Sequence, residues 1–165
     1  MKTQTTITDL TTEDLVNLFS TAFYGSNYLS ADYEESVEHD EDDCYEDIMA
    51  NILLHGGKIM VTDSYADGCH YGTLKWQYNE HYDVTYDVRV EDIKRGLERA
   101  ANGTFNAGVN ENSFGTLTLS EDYQERNIEF AKRSFNAFAF DEREWDAITA
   151  DCLMQIILFD EIVYG

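Results

Sequence analysis

The sequence predicts a single α+β domain over residues 1–165: an antiparallel sheet of three strands, or four, within residues 58–88, packed with helices before and after it, and a C-terminal core helix. Three observations carry this. Tyr82–Val88 alternates cleanly, with Tyr82, Val84, Tyr86 and Val88 on one face and Asp83, Thr85 and Asp87 on the other, the pattern of a half-buried strand. Other stretches repeat apolar residues at intervals of three and four and run into Gly, the pattern of capped amphipathic helices. Finally, 165 residues of which 43% are hydrophobic, with eleven Tyr and nine Phe, suffice for one core and are too apolar for a disordered acidic chain. There is no internal repeat and no Gly/Ser/Pro linker to divide the chain.

The first helix is expected to begin near Thr11, an N-cap preceded by Leu10, which can staple onto Leu15. Leu15, Leu18, Phe19, Ala22 and Phe23 form its apolar face, and Gly25-Ser26-Asn27 reads as a turn. Asp43, with Glu46 three residues on, has capping-box spacing and is expected to open a second helix. Tyr45, Ile48, Met49, Ile52 and Leu53 are its stripe, and Gly56-Gly57 its end.

Lys58–Tyr65 and Tyr71–Tyr78 flank Ala-Asp-Gly-Cys and read as a hairpin; with Tyr82–Val88 they make a meander. A third helix covers Glu91–Ala101, with Val90, Ile93, Leu97 and Ala100 inward and Asn102-Gly103 as its stop. Asn106–Gly115 reads as a loop and Thr116–Leu119 as a candidate short strand. Asn127–Phe138 is helical through Ile128, Ala131, Phe135 and Phe138. The last helix is expected over Glu142–Phe159, where Trp145, Ile148, Cys152, Ile156 and Phe159 keep the spacing and Leu153 and Ile157 widen the stripe. Such breadth is that of a central core helix.

Charge narrows the function. The formal net charge is -22, and residues 1–57 carry thirteen acids against the single base Lys2. Ten carboxylates fall between residues 32 and 47 with no Lys or Arg: Asp32, Glu34, Glu35, Glu38, Asp40, Glu41, Asp42, Asp43, Glu46 and Asp47. The helix dipole stabilises those at the start of the second helix by ~0.3–1 kcal/mol each, which accounts for part of the block and not for all of it. The block is the candidate partner-binding surface. Direct contact with nucleic-acid phosphates needs clustered Lys and Arg and is disfavoured, as is an anionic membrane surface. What remains is a basic partner, a nucleic-acid-binding protein, a polycation or metal ions, and of these a nucleic-acid-binding protein is the expected one. Tyr71, Trp76, Tyr78, Tyr82 and Tyr86 exceed what one sheet face needs and raise a homodimer as a further expectation.

Motifs for chemistry are sparse. Asp63-Ser-Tyr-Ala-Asp67-Gly68 has acids at the first and fifth positions of a calcium loop, but Tyr65 stands at the third and Leu74 at the twelfth, so a turn is expected instead. Cys44, Cys69, His39, His55, His70 and His81 show no ligand spacing. The nucleophile-elbow, phosphate-loop and dinucleotide fingerprints are absent. No catalytic residue, metal or cofactor is expected, and the chain reads as a binding protein rather than an enzyme. MKTQTTITDL lacks an apolar signal core, and an odd number of cysteines, three, suits a reducing cytoplasm.

The run from Asp146-Ala-Ile-Thr-Ala-Asp151 through Gln155 to Leu158-Phe159-Asp-Glu-Ile-Val-Tyr-Gly165 resembles the ending of small uncharacterised proteins of bacteriophages and bacterial mobile elements. Ala22–Tyr28 and Val90–Leu97 are similar to that family too. The chain departs from the pattern at Asp160, where the family has Gly, and in the acidic block. The resemblance implies a context, the cytoplasm of a bacterial host, and no activity. With the charge, it leads to an expected inhibitor of a nucleic-acid-binding host defence protein, mimicking DNA against a CRISPR or restriction component. An assembly module for a basic phage or plasmid protein and an unrecognised hydrolase are the alternatives.

Overall fold

Thr11 caps the first helix as its position predicts. Its hydroxyl accepts the Asp14 N–H at 3.1 Å, and the Asp14 carboxylate accepts the Thr11 N–H at 2.9 Å. In this computed structural model, which describes residues 4–34, 38–107, 109–112, 115–118 and 120–164, the helix is α1, Thr12–Tyr24. Leu15, Leu18, Phe19 and Ala22 are its buried face, over a buried Leu10.

A strand that the sequence reading missed follows, β1 (Leu29–Asp32), and then α2 (Tyr45–Leu54), β2 (Lys58–Asp63), β3 (Trp76–Tyr78) and β4 (Val84–Arg89). The fold is α+β, with a four-stranded antiparallel sheet in the order β1-β2-β4-β3. The expected hairpin of β2 with the next strand is not formed. The two strands whose alternate residues are wholly inward, Ile59 and Val61 on β2 and Val84, Tyr86 and Val88 on β4, lie side by side in the centre. The short β1 and β3 take the edges, where unpaired backbone meets solvent at least cost. Tyr71–Lys75, expected as strand, is connection: Tyr71 is buried and its N–H donates to the Tyr86 hydroxyl at 3.0 Å. Tyr82 is not in a strand either. It sits at φ 63 in the β3–β4 turn, exposed, while Asn79 accepts the His81 and Asp83 N–H groups, each at 2.9 Å.

Then come α3 (Val90–Asn102), stopped by Gly103 at φ 68, and a separate two-stranded ribbon, β5 (Val109–Asn112) with β6 (Gly115–Thr118). The strand expected at Thr116–Leu119 thus exists over Gly115–Thr118 but belongs to this ribbon, and Leu119 lies outside the described residues. Part of the expected loop 106–115 is β5. Helix α4 (Glu121–Phe140) starts earlier than its apolar stripe suggests, because the Ser120 hydroxyl accepts the Tyr123 N–H.

Helix α5 (Ala147–Phe159) is the core. It packs against α1, α3 and α4, and every residue from Cys152 to Phe159 is buried. Each buried Leu, Ile or Phe of this kind contributes about 1.5–3 kcal/mol. The helix begins five residues later than expected, since Asp146 and Thr149 form a reciprocal cap that fixes its first turn. The α3–α5 crossing depends on Gly96: a Cβ there would lie 2.5 Å from the Ile157 side chain and 2.6 Å from its Cα. Helix α5 ends at Asp160, in the left-handed conformation (φ 58) that favours Gly, with its carboxylate 2.8 Å from Arg99.

Candidate functional site

The acidic block is carried by the end of β1, the β1–α2 connection and the first turn of α2. Asp32, Glu34, Glu38, Asp40, Glu41, Asp42, Asp43 and Asp47 are exposed and Glu46 is half-buried; Glu35 lies outside the described residues. None of the ion pairs formed among the described residues involves the block. Asp43 does not cap α2, contrary to expectation. Cys44 is the N-cap and gives no side-chain bond, while the Asp43 carboxylate accepts the Asp40 N–H at 3.2 Å, closing a turn inside the connection.

Three rings support this surface. Tyr45, the first residue of α2, donates its hydroxyl to Asp32 Oδ1 at 2.6 Å and to the Ala31 carbonyl at 3.0 Å. Tyr33 packs on Tyr45 with centroids 5.1 Å apart and meets His39 edge-on at 5.9 Å. His39 Nδ1 lies 3.0 Å from the Asp40 carbonyl, which fixes the proton on Nδ1. Burial, and then Asp32 beside it, raise the Tyr45 hydroxyl above the usual tyrosine range. The sequence shows these rings only as scattered aromatics inside an acidic run.

A second feature shares no residue with the acidic block: a cleft of about 710 Å³ among α4, α5, Tyr28 and Tyr65. Tyr28 donates to Asp151, which also accepts Gln155 Nε2 at 2.8 Å. Gln155, 1% exposed, further accepts the Val163 and Tyr164 N–H groups and donates to the Tyr164 carbonyl, so the tail is laced to α5. Tyr164 in turn donates to the buried Asp63 at 2.7 Å. Arg126 and Arg133 line the other wall. Cys152 borders the cleft, but burial pushes its thiol up to about 12, which makes it a packing residue rather than a nucleophile.

The calcium-loop fragment is a turn around Asp63, whose carboxylate accepts the Tyr65 N–H at 2.8 Å. Cys44, His39, His55, His70 and His81 are exposed and dispersed, and Cys69 is buried. Among the described residues no three of His, Cys, Asp and Glu are grouped to hold a metal ion, and no helix is long and apolar enough to cross a membrane. Of the strand aromatics, Tyr71 and Tyr86 belong to the core. Trp76, Tyr78 and Tyr82 run edge-to-face along the sheet margin, with His70 stacked on Trp76 at 4.1 Å. No family model, curated protein or solved structure matches the chain.

Proposed function

We propose that the chain binds a basic, nucleic-acid-binding host protein through the acidic face of residues 32–47, and inhibits it by occupying its nucleic-acid groove. The observation that supports this reading is the state of the carboxylates. Eight of the nine described are exposed, and all nine lack a Lys or Arg partner among the described residues. They are carried on a connection closed by the Tyr45–Asp32 bond.

Such a surface resembles duplex DNA in the terms that matter to a groove lined with Lys and Arg. DNA offers about one charge per ~1.7 Å of axis, and a folded array of carboxylates offers a comparable field. The field speeds encounter with a basic groove. The resemblance of the C-terminal run to phage and mobile-element proteins favours a bacterial defence component, CRISPR or restriction, as the partner.

The test is capture from a bacterial lysate followed by elution with duplex DNA. A captured nucleic-acid-binding protein that DNA releases, and whose own DNA binding is lost on mixing, supports the proposal. A captured basic protein that still binds DNA in the complex supports the assembly role instead.

A further inference from the structure

We infer that the cleft between α4 and α5 is a binding site for a nucleotide, a planar base joined to a phosphate. The site is separate from the acidic face.

The anion-binding half is Arg126 and Arg133, seven residues apart on α4 and so on one side of it. Both are exposed, and neither forms an ion pair among the described residues, in a chain with 33 acids to 11 bases. Each guanidinium lies over a ring of its own helix, Arg126 over Tyr123 at 5.7 Å and Arg133 over Phe130 at 5.3 Å. A guanidinium over a ring face can keep N–H donors available for a bidentate contact. Glu129 and Asp151 also line the cleft, but among the described residues neither forms an ion pair with either arginine, so the guanidinium N–H donors are not taken up by a carboxylate there.

The base-binding half is the tyrosine wall. Tyr65 stacks on Tyr28 with centroids 4.8 Å apart and planes 11° from parallel, yet remains 53% exposed. A parallel pair with an open outer ring is a platform on which a further planar ring stacks. Asp151, at the base of the cleft, spends one bond per oxygen on Tyr28 and Gln155 and retains acceptor capacity for an amino or ribose hydroxyl group.

A volume of about 710 Å³ falls within the range of small-ligand sites. The lining is mostly apolar, with Phe130, Ile148 and Ile162 beside the tyrosines, which suits a planar ring, and the two arginines favour an anionic group attached to it. Bare phosphate would leave the tyrosine platform unused. The net charge of -22 opposes an anion at long range, but that field is screened beyond about 8 Å at physiological ionic strength, whereas the guanidiniums act at contact.

The experiment is isothermal titration calorimetry of the full chain with the four ribonucleoside monophosphates, with adenosine, and with inorganic phosphate. At least one nucleotide should bind saturably at millimolar concentration or below. Adenosine and phosphate should each bind about tenfold more weakly or worse than that nucleotide, because each uses half of the site. Arg126→Gln and Arg133→Gln, both surface changes, should each weaken it by about tenfold. Tyr65→Leu should weaken it by about fivefold or more. Neutralising Asp40–Asp43 should leave nucleotide affinity within twofold, roughly the effect of a distant screened charge, which separates this site from the acidic face. Absence of saturable binding by all four nucleotides, phosphate binding as tightly as the best nucleotide, or unchanged affinity in both arginine variants would each overturn the inference.

Discussion

The Tyr45 hydroxyl lies 2.6 Å from Asp32 Oδ1 and joins the two ends of the acidic connection, the last residue of β1 and the first of α2. Among the described residues, the other contacts of the connection are the Asp40–Asp43 turn and those of Tyr33 and His39.

Tyr45→Phe keeps the ring contact and removes that bond. The bond is 40% exposed at the tyrosine, so water replaces much of it and the loss should be at most ~1 kcal/mol. The local effect should be larger: amide exchange across residues 38–44 should speed up while α5 amides are unchanged. Equal exchange in both proteins would mean that the tyrosine does not order the acidic face.

Gln155→Leu preserves volume but removes four contacts, to Asp151, Val163 and both main-chain groups of Tyr164. Leaving buried partners unsatisfied should cost ~2–3 kcal/mol, less than the sum because the half-buried tail can recover water. Urea unfolding measures it, with the slope unchanged.

Gly96→Ala should destabilise despite the higher helix propensity of Ala, which alone would add up to ~1 kcal/mol. The new Cβ meets Ile157 Cα, and main chain cannot move aside as a flexible side chain can. The expected net loss is ~1–3 kcal/mol by thermal melting; a higher melting temperature would show that the crossing is looser than described.

Burial raises the Asp63 carboxyl above its ordinary value of 3.8, against hydrogen bonds from Tyr164 and the Tyr65 N–H that favour the charged form. Because the folded value is the higher one, the native protein takes up this proton before the unfolded chain does. The Asp63 contribution to stability therefore rises as pH falls from neutral through the folded value, and levels off below the unfolded one. Asp63→Asn should flatten that part of the stability–pH curve, and an unaltered curve would contradict the assignment.

Where caps and stripe coincide, as at Thr11 or Gly103, the sequence states the helix outright. Helix α5 shows the limit: Trp145 continues the apolar spacing, yet the Asp146–Thr149 cap starts the helix later. Alternation identifies β4 but is silent on partners, and β2 pairs with β4 rather than with the strand that follows it in sequence. Strand β1 has only four residues, too few for a period to register. The carboxylates of the acidic face are contiguous and legible; the cleft is not, because Tyr28, Tyr65, Arg133 and Asp151 come from four separate segments.

The most direct test of the acidic face is the salt dependence of binding to the captured partner, wild type against Asp40→Asn, Glu41→Gln, Asp42→Asn and Asp43→Asn combined. Since Asp43 caps no helix, the variant should fold as the wild type does, with a melting temperature equal or slightly higher as self-repulsion falls. The account predicts weaker binding, mainly through slower association, and a flatter fall of affinity with salt. Unchanged affinity together with an unchanged salt slope would contradict it, and would leave residues 32–47 a solvated surface without a partner.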